Sequence, residues 1–180
     1  MADVESREQV DTYENGAVKT RFHLHGGRLH GPYVSSQPDG TLVMRAMFDD
    51  GVLEGPAVMF GPDGSVAQES TFHAGALHGM TTIFESGAPK MRLPYRDGRL
   101  DGEAIFLDGD GRVVRTVTYA NGALNGRWQE LYQNGKIRET SQYKNNQLDG
   151  ETVRYDEQGR VKERLRFEKG IEVKLPPPRK

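Results

Sequence analysis

Residues 119–150 read YANGALNGRWQELYQNGKIRETSQYKNNQLDG, and this stretch decides the architecture of the chain. GALNG closes at Gly126, QNG at Gly135 and NQLDG at Gly150, so two glycine-marked reversals fall within 24 residues. Between reversals the segments are five to eight residues long and alternate: Arg138, Thr140 and Gln142 stand out of phase with Ile137 and Tyr143. A helix would need a 3.6-residue period, whereas a period of two belongs to a strand.

The same grammar extends in both directions. GRLHG, GVLEG, GALHG, GRLDG, GALNG and NQLDG end at Gly31, Gly55, Gly79, Gly102, Gly126 and Gly150, in steps of 24 residues except for one of 23. A degenerate seventh copy, GIEV, begins at Gly170. Between them lie ENG, PDG, PDG, ESG, GDG, QNG and EQG, with glycines at 16, 40, 64, 87, 111, 135 and 159. Two reversals per unit mean two strands per unit, because hairpin loops need the positive φ that glycine adopts freely.

The pattern predicts an all-β fold: an elongated antiparallel β-meander of about seven 24-residue, two-strand repeats in one twisted sheet. That is 13 or 14 strands, on the order of 60 Å across at ~4.8 Å per strand. Counting from each second-turn glycine, the second residue (Val18, Leu42, Val66, Pro89, Val113, Ile137, Val161) and the eighth (Leu24, Phe48, Phe72, Tyr95, Tyr119, Tyr143, Phe167) share parity. Parity assigns them to one face, with the sixth residue beside them. The third and fifth residues after each GxLxG, such as Val58 and Phe60, read as the partner stripe, and the second and fourth as the opposite face. The expected organisation is an acidic extension over residues 1–12, one repeat domain over 13–172 and a Pro-rich basic tail over 173–180.

Composition agrees with a thin sheet. Hydrophobic residues are 35% of the chain and glycines number 22, too little apolar material for a thick two-layer core and too much for disorder. With no cysteine, disulfides, thiolate metal sites and Cys nucleophiles are excluded. The opening MADVESREQVDTYENG has no apolar targeting segment, so the expected location is cytoplasmic. A net charge of −2 gives no general attraction to nucleic acid or anionic lipid. The ends differ, with acidic residues over 1–15 and basic residues over 160–180. That reads either as two solvated ends or as a docking site for an acidic partner.

YRDGRLDG, YANGALNG and YKNNQLDG, followed by GRWQELYQNGKIRE, resemble the MORN-repeat family in its bacterial variant form. The resemblance covers about residues 13–172. Leu24 replaces the aromatic of the first copy, Asn146 replaces a glycine and Pro89 interrupts one strand. What the resemblance implies is a non-enzymatic, protein-binding repeat scaffold, used in bacteria as an antitoxin or immunity protein that neutralises a cognate toxin or secreted effector. The alternative it implies is a scaffold tethered at a membrane surface.

Residue patterns for catalysis are missing, and no enzyme activity, metal or cofactor is expected. His30 and His78 fill the variable slot of GxLxG, and His73 repeats the position of His25. His23 and His25 share a strand face and could offer two zinc ligands, but no third is close in sequence. GDGR and GPDGS precede no helix, as a phosphate loop must, and DGDG lacks the spaced ligands of a calcium loop. One pattern exceeds the grammar. The fourth slot after GxLxG holds Met59, Ile83 and Phe106 in successive central units, and Trp128 has the same parity one unit further on. With Arg127 and Glu130 these form the expected partner-binding set, for a protein partner rather than nucleic acid or membrane. A face covered by the chain's own termini or by a dimer mate would explain the same pattern.

Overall fold

The computed structural model describes residues 7–174. Its regular structure is entirely strand, seventeen strands in an open antiparallel sheet that follows chain order. The chain divides into two compact units, one running to residue 89 with residues 95–98, the other holding residues 90–94 and everything from 99 onward. The first unit contains β1 (Arg7–Thr12), β2 (Val18–His25), β3 (Arg28–Ser36), β4 (Leu42–Asp49), β5 (Val52–Phe60), β6 (Val66–His73), β7 (Ala76–Leu77) and β8 (Gly79–Glu85). Strand β9 (Ala88–Arg96) contributes to both units. The second contains β10 (Arg99–Leu100), β11 (Gly102–Leu107), β12 (Val113–Ala120), β13 (Ala123–Leu131), β14 (Ile137–Lys144), β15 (Gln147–Tyr155), β16 (Val161–Glu168) and β17 (Ile171–Val173). Residues 7–12, within the stretch expected to be an extension, form β1 and pair with β2. Most of the expected C-terminal tail, residues 175–180, lies outside the described residues.

Two kinds of reversal alternate. At Asn121–Gly122 both central residues have positive φ, 50° and 82°, the two-residue hairpin turn whose twist matches that of the strands it joins. Asn145–Asn146 does the same at 49° and 66°, which explains why asparagine can replace glycine there. The other reversal is a three-residue loop. Gly40 N–H donates to the Gln37 carbonyl at 2.9 Å, Gln37 N–H to that of Thr41 at 2.7 Å, and Asp39 Oδ1 accepts from Thr41 N–H at 2.8 Å. The 23-residue step lies at this second kind of loop. Ser86 and Gly87, at φ 51° and 77°, make a two-residue turn where the other units use three.

The register overturns the expected division of faces. Directly paired residues on neighbouring strands project to the same side. Ala57, second after GxLxG, lies opposite Ala46 and Ser70, both sixth residues; Thr152 lies likewise between Ser141 and Leu165. The second and fourth slots therefore share the face of the sixth and eighth residues, not the opposite one. A β-bulge near each three-residue loop moves the second residue away from them. Met59 pairs with Gln68 but Phe60 with Val66, so Val66 joins the third and fifth slots on the other face. The first face carries a row of small residues that are nearly inaccessible: Ala46, Ala57, Ser70 and Thr81 in one unit, Ala104, Val117, Ser141 and Thr152 in the other. Larger neighbours shade them, as where Tyr33 meets Phe22 and Phe48 at ring-centroid distances of 6.5 and 5.5 Å. Leu107 and Val153 are the buried apolar residues of the second face.

Candidate partner-binding surface

In the first unit, Met59 on β5 lies opposite Met44 on β4 and Gln68 on β6, and Gln68 lies opposite Ile83 on β8. These four side chains form a row beside the buried small residues. Met59 is 46% exposed, and Ile83 is half-buried. The row is anchored along its side, where Gln68 Nε2 donates to Ser70 Oγ at 2.7 Å and Thr81 Oγ1 approaches the same oxygen at 3.4 Å.

The equivalent row of the second unit is built differently. Phe106 lies opposite Met91 and Arg115, and the Arg115 guanidinium sits 4.3 Å from the centroid of its ring. From Arg115 the row continues through Glu130, Glu139, Arg154 and Glu163. Arg154 bridges two carboxylates, donating from Nε to Glu139 at 2.8 Å and from Nη1 to Glu163 at 2.6 Å, while Arg138 reaches Glu130 at 3.5 Å. Tyr132, Arg138, Arg154, Tyr155 and Lys162 line an open groove of about 500 Å³ beside this ladder. Its walls are pinned by the Tyr132 hydroxyl, which donates to the Tyr155 carbonyl at 2.8 Å.

Thus Met59 joins Ile83, and Phe106 joins Glu130. Trp128 occupies the adjacent row, opposite Val117 and Ser141, half-buried among the small residues. Arg127 lies opposite Gln142 and, one residue from Trp128, projects from the other face. Sequence reasoning missed Met44, Gln68, Met91, Arg115, Glu139, Arg154 and Glu163. All except Arg154 hold the fourth position after the second-turn glycine, which the register pairs with the fourth slot after GxLxG; Arg154 is itself in that slot.

Three histidines, His30, His73 and His78, engage carboxylates. His73 Nδ1 lies 3.0 Å from Glu54 Oε1, and Glu54 Oε2 accepts from Ala74 N–H at 2.8 Å. These hydrogen bonds hold the imidazole of His73 above its ordinary pKa and the carboxyl of Glu54 below its own. His78 lies 3.3 Å from Asp97 and meets His73 edge to face at 5.8 Å. His30 meets Asp49 at 3.1 Å and His25 at 5.4 Å between ring centroids. His23 lies opposite Glu8, with Nδ1 buried and without a hydrogen-bond partner among the described residues. Among the described residues, no three His, Asp or Glu side chains are grouped to hold a metal ion.

Residues 124–145 match the MORN repeat variant family. The matched span runs from the GALNG leucine through β13 and β14 to the following turn, which is one hairpin unit, and it supports a MORN-repeat family for the chain. Comparison with curated proteins gave no match. Among solved structures the chain is similar to one titled "Crystal Structure of TarM", at 11% identity and a TM-score of 0.31, over 78% of this chain. The chain spans about a fifth of that structure's length, 21%.

Proposed function

We propose that this chain is a non-enzymatic protein-binding scaffold of the bacterial cytoplasm, an antitoxin or immunity protein that neutralises a toxin or secreted effector by covering it. The observation that carries the reading is the row Met44, Met59, Gln68 and Ile83, with exposed Met59 beside a row of almost inaccessible residues. Thioether side chains beside a closely packed row suit a protein surface, because methionine repacks against varied shapes at little cost. The match to the MORN repeat variant supports the scaffold part of the proposal. The neutralising role extends what the resemblance implies.

Partner captured from extract of the native host is purified and its activity titrated with wild-type protein and with Met59→Asp, after matching their melting temperatures. Activity should vanish at one equivalent of wild type, and the variant should bind about thirtyfold more weakly, near 2 kcal/mol. A partner that binds stoichiometrically yet stays fully active would refute neutralisation.

A further inference from the structure

The two ends of the sheet are the two parts of one repeat strand. Strands β3, β5, β13 and β15, which follow the two-residue turns, are each nine residues long. β17 follows the equivalent turn but holds only three, Ile171–Val173, paired with Arg166–Glu168. The outward edge of β16 from Val161 to Leu165 therefore has no strand partner among the described residues. β1 begins where β17 stops. Its last two residues pair as Asp11 with Thr20 and Thr12 with Val18, across the same bulge at which Arg154 pairs with Glu163 and Tyr155 with Val161. By that register Arg7–Thr12 correspond to residues 150–155 and Ile171–Val173 to residues 147–149, so six residues and three complete the nine.

We infer that the partner of these edges is a second copy of the chain, with β1 of one copy seated on β16 of another, end to end with β17. In this head-to-tail junction the pairing of β14 with β15 is repeated, placing Asp11, Val10 and Gln9 opposite Glu163, Arg164 and Leu165. All six residues of β1 are exposed, as are Val161, Lys162, Glu163 and Arg164, which leaves both edges accessible. Charge favours the union. Glu8 falls beside Arg166, and the intrachain pair Arg21–Glu8 at 3.3 Å duplicates Arg164–Glu151 at 3.4 Å. Asp11 does face Glu163, but Arg154 already neutralises that carboxylate from 2.6 Å. Because the joined surfaces differ, two joined copies still present one edge of each kind, and further copies can add.

The test is sedimentation velocity on the full-length protein with two edge-blocked variants, Val10→Pro and Arg164→Pro, each checked for unchanged circular dichroism. Wild type should form a concentration-dependent series of species that shrinks in high salt. Each variant alone should stay monomeric. Their equimolar mixture should form a one-to-one dimer and nothing larger, since each supplies the edge that the other lacks. If proline disturbs either edge strand, the charge variants Glu8→Lys and Lys162→Glu/Arg164→Glu take their place, each weakening self-association at least about tenfold. Wild type that stays monomeric at millimolar concentration, a blocked variant that still polymerises, or a mixture that stays monomeric overturns the inference.

Discussion

Glycines at one repeat position should differ sharply in what a methyl group costs. Gly31 has φ +85° and a Cβ there would meet nothing within 4 Å, whereas Gly150 has φ +129° and its Cβ would lie 2.8 Å from the Cβ of Gln142. The first substitution brings only the strain of a positive φ, about 1–2 kcal/mol. The second adds a region of φ that is nearly glycine's alone and an overlap that no rotamer change relieves, because the colliding atom is fixed to the backbone. Together these come to about 3–5 kcal/mol. Gly31→Ala and Gly150→Ala would be compared by urea unfolding, with Trp128 fluorescence reporting on the second unit and circular dichroism on the whole. Adding Gln142→Gly to Gly150→Ala removes the colliding atom and should restore about 1–2 kcal/mol of the loss. Equal losses at the two glycines, or no recovery in the double variant, would refute the reasoning.

Ala104 is 0% exposed, so Ala104→Leu should cost about 1–3 kcal/mol in urea unfolding, while Met59→Leu, at a side chain 46% exposed, should cost almost nothing. Trp128→Ala should destabilise the second unit by about 2–3 kcal/mol and Arg127→Ala by under about 0.5, measured by circular dichroism; similar values would mean that the two residues share a face. The pair His73–Glu54 predicts a pH dependence. The raised pKa of His73 gives stability that is present below 6.5 and lost as pH rises through the folded value. The lowered pKa of Glu54 gives stability that is present above 4.5 and lost as pH falls through its folded value. The urea midpoint should therefore fall on either side of the window from 4.5 to 6.5, and His73→Gln should flatten its alkaline side.

The repeat and its hairpins were legible because glycine and asparagine mark backbone conformations that other residues resist, and these marks recur at a fixed spacing. The division of faces was not. Parity counting assumes an unbroken pleat, and most units contain two register breaks that carry no residue signature, since Val66 and Phe60 look the same on either side of a bulge. The error spread to the candidate surface. Met59, Ile83 and Phe106 were found through their shared slot, but their cross-strand neighbours Gln68 and Arg115 come from the other strand of the unit and surface only through the register. Trp128 does share a face with Met59, Ile83 and Phe106, but it stands one row away from them. β1 escaped notice because Arg7–Thr12 contains neither glycine mark, its identity lying in the bulge it forms with Val18.

The bulges also limit how the chain can misassemble. In a plain meander a strand can slip by two residues and keep its faces, whereas here a two-residue slip would set a bulge against a regular pair in every unit it touched. The next arrangement that satisfies both breaks is a whole unit away, so mispairing is confined to skipping entire hairpins, which leaves a loop of about 24 residues to close. The two-residue turn at Ser86–Gly87 interrupts even that equivalence. A strand that skips across it must close over 23 residues instead of 24, and the shortened unit acts as a fixed index mark in an otherwise uniform scale.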